Sequence, residues 1–343
     1  MLKRIIALTL AATLTVFCFA GCGKKKTKKK TASSEVVSSE PVIDPKTFNP
    51  LTGVSGFDKN LYDQRPVAIM VNNTYIAQAV QCGVKNADIV YETEVEGRET
   101  RLMAVFKDIS KAGKIGSVRS ARFPFVELAL GHDAVYLHHG QDPTYCAPHL
   151  KDIDHITVDT NNCGKRIPNG LAWEHTLFAF GDSAWETITK TVKRTTTDKP
   201  QTFATFAKEE TPVSFAGNVA NVVNTAVQYG QTFTYDPENG LYYRSAKGKV
   251  SVDYETKEKI QVKNVFVLLT TIANYPDGTH RQVYLDGGEG YYAVNGTYTP
   301  IRWTKGAGSA SFTFTDQNGA PLNVNPGSSW VCINNTDCVP TFQ

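Results

Sequence analysis

From about residue 213 the chain is cut into pieces too short for helices. TFTY (232–235), LYYR (241–244), KVSVDY (249–254), VKNVFVLLTTI (262–272), RQVYL (281–285), YYAV (291–294), SASFTF (309–314) and SWVCIN (329–334) are rich in β-branched and aromatic residues. Between them stand DPENG, YPDG, DGGEG, VNG, KGAG, DQNG and NPG. Short runs at regular spacing, each closed by Gly, Asn or Asp turn chemistry, predict a mostly antiparallel sandwich or barrel over 213–343.

The preceding 150 residues have a different grammar. RPVAIMVNN (65–73) reads as a buried strand entering a turn. ADIVYETEVEG (87–97) and RETRLMAVFKD (98–108) read as a hairpin turning at Gly97-Arg98, with glycine first in a two-residue loop. In that register Glu94 faces Arg101. Glu92, Glu94 and Glu96 alternate along one strand and are expected on one face. FPFVELALGHD (123–133) predicts a short buried helix, and DAVYLHHG (133–140) another strand. DSAWETITKTVKR (182–194) predicts a helix capped by Asp182 or Ser183. The fold class expected is therefore α+β: a mixed α/β domain over 49–198, a polar linker over 199–212 and a β domain over 213–343.

The first residues read as targeting. Lys3 and Arg4 precede an apolar run, Ile5 to Ala20, followed by Phe19-Ala20-Gly21-Cys22. A largely apolar run of sixteen residues is short for a bilayer span of about 20. Small residues just before a cysteine make a cleavage site, so 1–21 is expected to be a lipoprotein-type signal and Cys22 the lipidated residue. A secretory signal or an uncleaved anchor are the alternatives. The expected location is the extracytoplasmic face of the cell membrane, with membrane lipid as the partner of Cys22. Residues 22–48 are Lys, Ser, Thr and Glu with few apolar groups, which reads as a tether.

Charge follows the same division. The chain carries 36 Lys+Arg and 33 Asp+Glu, but residues 1–30 hold eight of the cations and none of the acids. The remainder has 28 against 33, a net of −5. The Lys run at 24–30 suits anionic headgroups, and the acidic body argues against a nucleic-acid partner.

Candidate chemistry concentrates in IGSVRSAR (115–122). Arg119 and Arg122 sit among Gly116, Ser117 and Ser120, ahead of the predicted helix. Arginine offers planar paired donors, and a helix start offers free N–H groups, so this octet suits a phosphate or carboxylate. Alternatively both cations pair with Glu92, Glu94, Glu96 or Glu127. The three glutamates could serve a hydrolase as acid and base. Six of the seven histidines fall between His132 and His175, yet no complete zinc pattern is present, and adjacent His138 and His139 on a strand face opposite ways. No metal or cofactor is expected. Trp173, Trp185, Trp303 and Trp330 are expected in the core, although an exposed one would suit a sugar. Cys332 with Cys338, and Cys146 with Cys163, are possible bridges that leave Cys82 over.

The blocks RPVAIMVNN, ADIVYETEVEGRETRLMAVF, IGSVRSARFPFVELALGHDAVYLHHGQDP and EHTLF, then IRWTKG and DQNGAPLNVNPGSSWV, stand in an order that resembles the YerB-like bacterial lipoproteins. The resemblance spans most of 50–335. It implies a two-domain surface lipoprotein and supplies no reaction. The residues matching its blocks are Glu92, Glu96, Thr100, Arg101, Arg119, Ser120, Arg122, His138 and His175. Ser117 and Glu174 stand where that family usually has Pro, Arg98 where Gly is common, and Asp142 where Ser is usual.

The expected function is binding of an anionic cell-envelope polymer or lipid phosphate. Arg101, Arg119, Ser120 and Arg122 would hold the anion, with Glu92, Glu96, His138 and His175 shaping the site. The alternatives are an enzyme acting on envelope polymers, by glycan hydrolysis or phosphoryl-linked transfer, and a protein-binding scaffold.

Overall fold

The hairpin read at Gly97-Arg98 forms as expected, from strand β2 (Ile89–Glu96) and strand β3 (Glu99–Phe106). Its register differs. Arg101 opposes Thr93 and Glu94 opposes Thr100, with a bulge between Glu94 and Glu96. A bulge inserts one residue and turns the rest of the strand toward the other face. Glu96 therefore leaves the side held by Glu92 and Glu94, and the expectation of three carboxylates on one face is corrected.

The computed structural model describes residues 44–343. The signal at 1–21, Cys22 and the tether up to residue 43 lie outside the described residues. Asp44 to Phe48, read as the tether's end, already belong to the fold: Phe57 N–H donates to Thr47 O, and Phe48 bridges Ser55.

Three more strands complete the first half's contribution: β1 (Val67–Asn72), β4 (Val135–His138) and β5 (His155–Thr157). The second half supplies β6 (Asn264–Thr270), β7 (Gly287–Val294), β8 (Thr297–Thr304), β9 (Thr313–Thr315) and β10 (Ser329–Asn335). All ten make one sheet in the order β9-β8-β7-β6-β10-β2-β3-β1-β4-β5. The last long strand, β10, lies parallel to both β6 and β2 and joins the halves. Its residues are buried through Asn334, as expected of a strand covered on both faces.

One face carries helix α1 (Phe123–Gly131), where Phe125, Val126, Leu128 and Ala129 pack with Met70, Tyr91 and Met103. The other face is covered twice. Helix α2 (Gly181–Thr191) and a small sheet of Lys114–Gly116, Leu177–Phe180 and Gly164–Arg166 cover the first half. A six-stranded sheet that includes Thr232–Asp236 and Leu241–Ala246 covers the second, so the expected sandwich is present there. Helix α2 begins at Gly181 after Phe180, with no side-chain cap, which corrects the expected Asp182 or Ser183 cap.

The cysteine pairings are also corrected: Cys82, Cys146, Cys163, Cys332 and Cys338 are free thiols. Cys146 packs in the core on one face of the sheet and Cys163 in the core on the other. Cys332 points inward from β10, whereas Cys338 lies past the following turn beside Arg98.

The halves are separate in sequence texture but share the edge of β2. A chain ended at residue 198 loses β10 from Ile89–Thr93 and the Trp330 indole from Glu92. We expect it to show no cooperative calorimetric transition, whereas the full chain melts in one. A sharp independent transition from the truncated chain would show that the halves are stable apart.

Candidate functional site

Strands β1 and β4 are parallel and pair from Val67–Val135 as far as Ile69–Leu137. Beyond that point they part, and the IGSVRSAR segment fills the gap. Asn72 N–H donates to Ser117 O at 2.8 Å and Arg119 N–H to Met70 O at 3.2 Å. On the other side His139 N–H donates to Arg119 O at 3.0 Å and Ala121 N–H to Gly140 O at 2.9 Å. The octet is thus a wedge at the carboxyl ends of parallel strands, the place where open α/β sheets receive ligands.

Helix α1 follows at once, as read from the sequence, but its start is a poor anion cradle. Pro124 has no N–H, and the amides of Phe125 and Val126 donate to Arg122 O. The side chains must supply any anion binding.

The arginines separate into two groups. Arg122 Nε donates to Glu96 Oε1 at 2.5 Å, and its terminal nitrogen contacts the same oxygen. Arg101 donates to Glu96 Oε2 at 3.2 Å and to Ser120 O at 2.9 Å. One carboxylate, turned inward by the bulge, therefore serves two cations. Arg101 is buried, and that burial, with repulsion from Arg122 and Arg119, pulls it below the ordinary arginine value against the opposing pull of Glu96. Ser120 contributes its carbonyl here, not its hydroxyl.

His280, which no sequence pattern marks, closes this group from the second half. It bridges Glu96 through the backbone, and its Nε2 lies 3.3 Å from Asp142 Oδ2. Asp142 also accepts from the amides of Thr144 and Cys146 at 3.1 and 3.2 Å.

Arg119 points elsewhere. Its terminal nitrogen is 3.5 Å from Glu174 Oε2, a half-exposed carboxylate. Its Nε is buried with no hydrogen-bond partner among the described residues. Glu174 also stands 3.3 Å from His175 Nε2, while His175 Nδ1 meets the Asn72 side chain at 2.9 Å. His175 is thus held at the end of β1, beside Arg119. Next to them Trp173 is 70% exposed, which corrects the expected core position; Trp303 and Trp330 are buried as expected.

His138 and Glu92 do not join this group. His138 is buried, with Nδ1 2.8 Å from Gly140 O and Nε2 3.1 Å from His155 Nδ1. Glu92 lies on the opposite face of β2. It accepts from Asn73 at 2.8 Å, Thr100 at 2.8 Å and the Trp330 indole at 2.9 Å. Glu94 pairs with Arg281 at 3.0 Å and Arg98 at 3.7 Å. Among the described residues the expected set therefore falls in four places: Glu96 with Arg101, Ser120 and Arg122, Arg119 with His175 across Glu174, His138 against His155, and Glu92 in the core. The residues that sequence reasoning missed are Trp173, Glu174, Arg166 and His280. The WEH string inside a loop was the only signal for Trp173 and Glu174, and no pattern marks Arg166 or His280.

Replacing Glu96 by Gln leaves two cations facing each other with no counter-charge. Losing one partner of a buried pair costs about 3–5 kcal/mol; Glu96 is a quarter exposed, so we expect a loss of about 2 kcal/mol. The Glu94→Gln change should stay within about 1 kcal/mol. Urea unfolding of both variants checks the contrast.

Acid should weaken the fold through its buried histidines. Burial pushes His132 and His138 down to about 4, whereas unfolded histidine titrates near 6.5. Between those values the unfolded chain binds more protons, so this stability is present above about pH 6.5 and is lost as pH falls toward 4. The slope approaches about 1.4 kcal/mol per pH unit for each histidine. Asp88, raised by burial to about 6, keeps its proton in the fold and opposes one of them over the lower part of the window. Denaturant midpoints from pH 7 to 4 should fall, and His138→Gln should flatten the fall.

Residues 51–195 match the N-terminal domain, and residues 221–331 the C-terminal domain, of the family described as protein of unknown function DUF3048. Over 305 residues the chain is 29% identical to the Bacillus subtilis (strain 168) protein named "Putative lipoprotein YerB", covering 83% of this chain and 85% of that one. The crystal structure of the Bacillus subtilis YerB protein has the same fold, with a TM-score of 0.71 at 24% identity over 86% of this chain and 99% of that chain. With both domains matched in order along one shared fold, the chain belongs to the DUF3048 family of YerB-like proteins.

Proposed function

We propose that the protein is attached to the outer face of the cell membrane through lipidated Cys22 and binds a phosphate or carboxylate of an envelope polymer or lipid at Arg119. The signal-like start and the name of its Bacillus relative support the anchor. The state of Arg119 carries the binding half of the reading. Its Nε is buried and unpartnered among the described residues, and its terminus has only a half-exposed carboxylate at 3.5 Å. An exposed pair of that kind is worth about 0–1 kcal/mol, so an anion with two oxygens in the guanidinium plane could displace Glu174 at little cost. Arg101 and Arg122 are committed to Glu96 and hold the wedge in place.

Hydrolysis by the YETEVEG carboxylates has less support. Glu92 is buried in the core, and Glu94 and Glu96 are each held by arginines. None of the three faces another across an open cleft.

A glycerol-phosphate oligomer titrated calorimetrically into the full chain in detergent tests this reading. Arg119→Ala should weaken binding by about tenfold or more, as loss of a charge-assisted contact implies. Glu174→Gln, which removes the competing carboxylate, should tighten it roughly twofold to fivefold. Equal affinity of the Arg119→Ala and unaltered chains would refute the site.

A further inference from the structure

An exposed tryptophan on a loop is ordinarily free to swing, but Trp173 is held. It begins a short turn, Trp173–His175, that the loop braces from within. Asn169 donates to His175 O at 2.9 Å and accepts from Leu171 N–H at 3.1 Å. Arg166, on a strand of the small sheet, donates to Trp173 O at 2.8 Å, and its guanidinium carbon stands 4.2 Å from the indole centroid. The other end of that guanidinium meets His139 Nε2 at 3.2 Å, one residue past β4. The ring is thus tied to the same wedge that carries Arg119, and 70% of the residue still faces water.

Leaving an indole in water forgoes the stabilisation available from burying a large apolar side chain. Bracing it there with an arginine spends further contacts on an outward-facing ring. A flat, polarisable surface of this kind takes an aliphatic ring face or another aromatic ring. Glu174, the next residue in the turn, pairs with Arg119, so a group replacing its carboxylate binds one residue along the turn from the indole.

We infer that Trp173, oriented by Arg166, is a stacking platform for a sugar ring, so that the anionic ligand at Arg119 is a charged glycan. This rests on the anion-site reading above and adds the class of ligand. The C–H face of a pyranose packs on the indole while its phosphate or carboxylate substituent reaches Arg119 in place of Glu174. A small anion without a ring uses Arg119 alone.

Three probes separate the platform from the anion site: a neutral N-acetylglucosamine oligomer, the same oligomer bearing a phosphate, and a ring-free glycerol-phosphate oligomer. Each is titrated into the full chain in detergent, with heat and tryptophan fluorescence as readouts. The phosphorylated sugar should bind more tightly than either other probe and should change the fluorescence only when Trp173 is present. Trp173→Ala should weaken it roughly fivefold to tenfold, as loss of one aromatic contact implies, and leave glycerol phosphate unchanged. Arg166→Ala should give a smaller loss of the same selectivity. Equal binding of the phosphorylated sugar with and without Trp173, while Arg119→Ala still weakens both anionic probes, would overturn the platform and spare the anion site. Loss of neither probe in Arg119→Ala, or no binding of any probe, would overturn both.

Discussion

The structure depends on strand β10 lying between β2 and β6. Within the central sheet its ladder with β2 is the one that joins the halves, and both of its pairings are parallel, so no hairpin enforces them. Side chains fix the join. The Trp330 indole donates to Glu92, whose other oxygen accepts from Asn73 and Thr100. Arg244, from the covering sheet, reaches Asn73 at 3.2 Å and lies over the Trp330 ring. Buried charge is tolerated only when every partner is present. Asn73 follows the end of β1, one residue from the Asn72 side chain that meets His175. The second half thereby braces the end of β1, from which the proposed anion site is built.

A single inserted residue sorts the charges. Without the bulge after Glu94, strand alternation would place Glu96 beside Glu92 and take its carboxylate away from buried Arg101 and partly buried Arg122. With it, one carboxylate neutralises two arginines, and His280 with Asp142 closes the rim. Arg119, three residues before Arg122, points the other way along the wedge. Two cations that look equivalent in the octet therefore differ in their partners: Arg122 is held by the partly buried Glu96, whereas Arg119, itself largely enclosed, meets only the half-exposed Glu174 at its tip.

Much of the fold is legible in the sequence. Hydrophobic runs and turn residues locate the β2–β3 hairpin, helix α1, helix α2 and the second-half strands, because those signals are local. The joint between halves is not, since a parallel pairing between residues 89–93 and 329–333 leaves no mark in either segment. The charge pattern fails at Glu96 for a related reason. Periodicity assumes an unbroken strand, and nothing in YETEVEG announces the bulge. Trp173 reads as a core residue because tryptophans are mostly well buried; its exposure comes from a loop whose bracing partner, Arg166, lies on a different element, a strand of the small sheet.

The difference between Glu96 and Glu174 gives the proposed anion site its logic. Exchanging Glu96 for an external anion would disturb two arginines, one of them deeply enclosed, together with the wedge they anchor. Exchanging Glu174 disturbs one weak contact at the surface. A binding site needs a cation whose geometry is fixed while its counter-ion is loose. Arg119 has both properties. Its backbone is hydrogen-bonded between the parting strands, so the side chain starts from a fixed point. Among the described residues its ionic partner is a carboxylate more than half exposed to water. The splayed ends of β1 and β4 thus supply a rigid base, and the WEH turn beside them supplies both a displaceable carboxylate and an outward-facing ring.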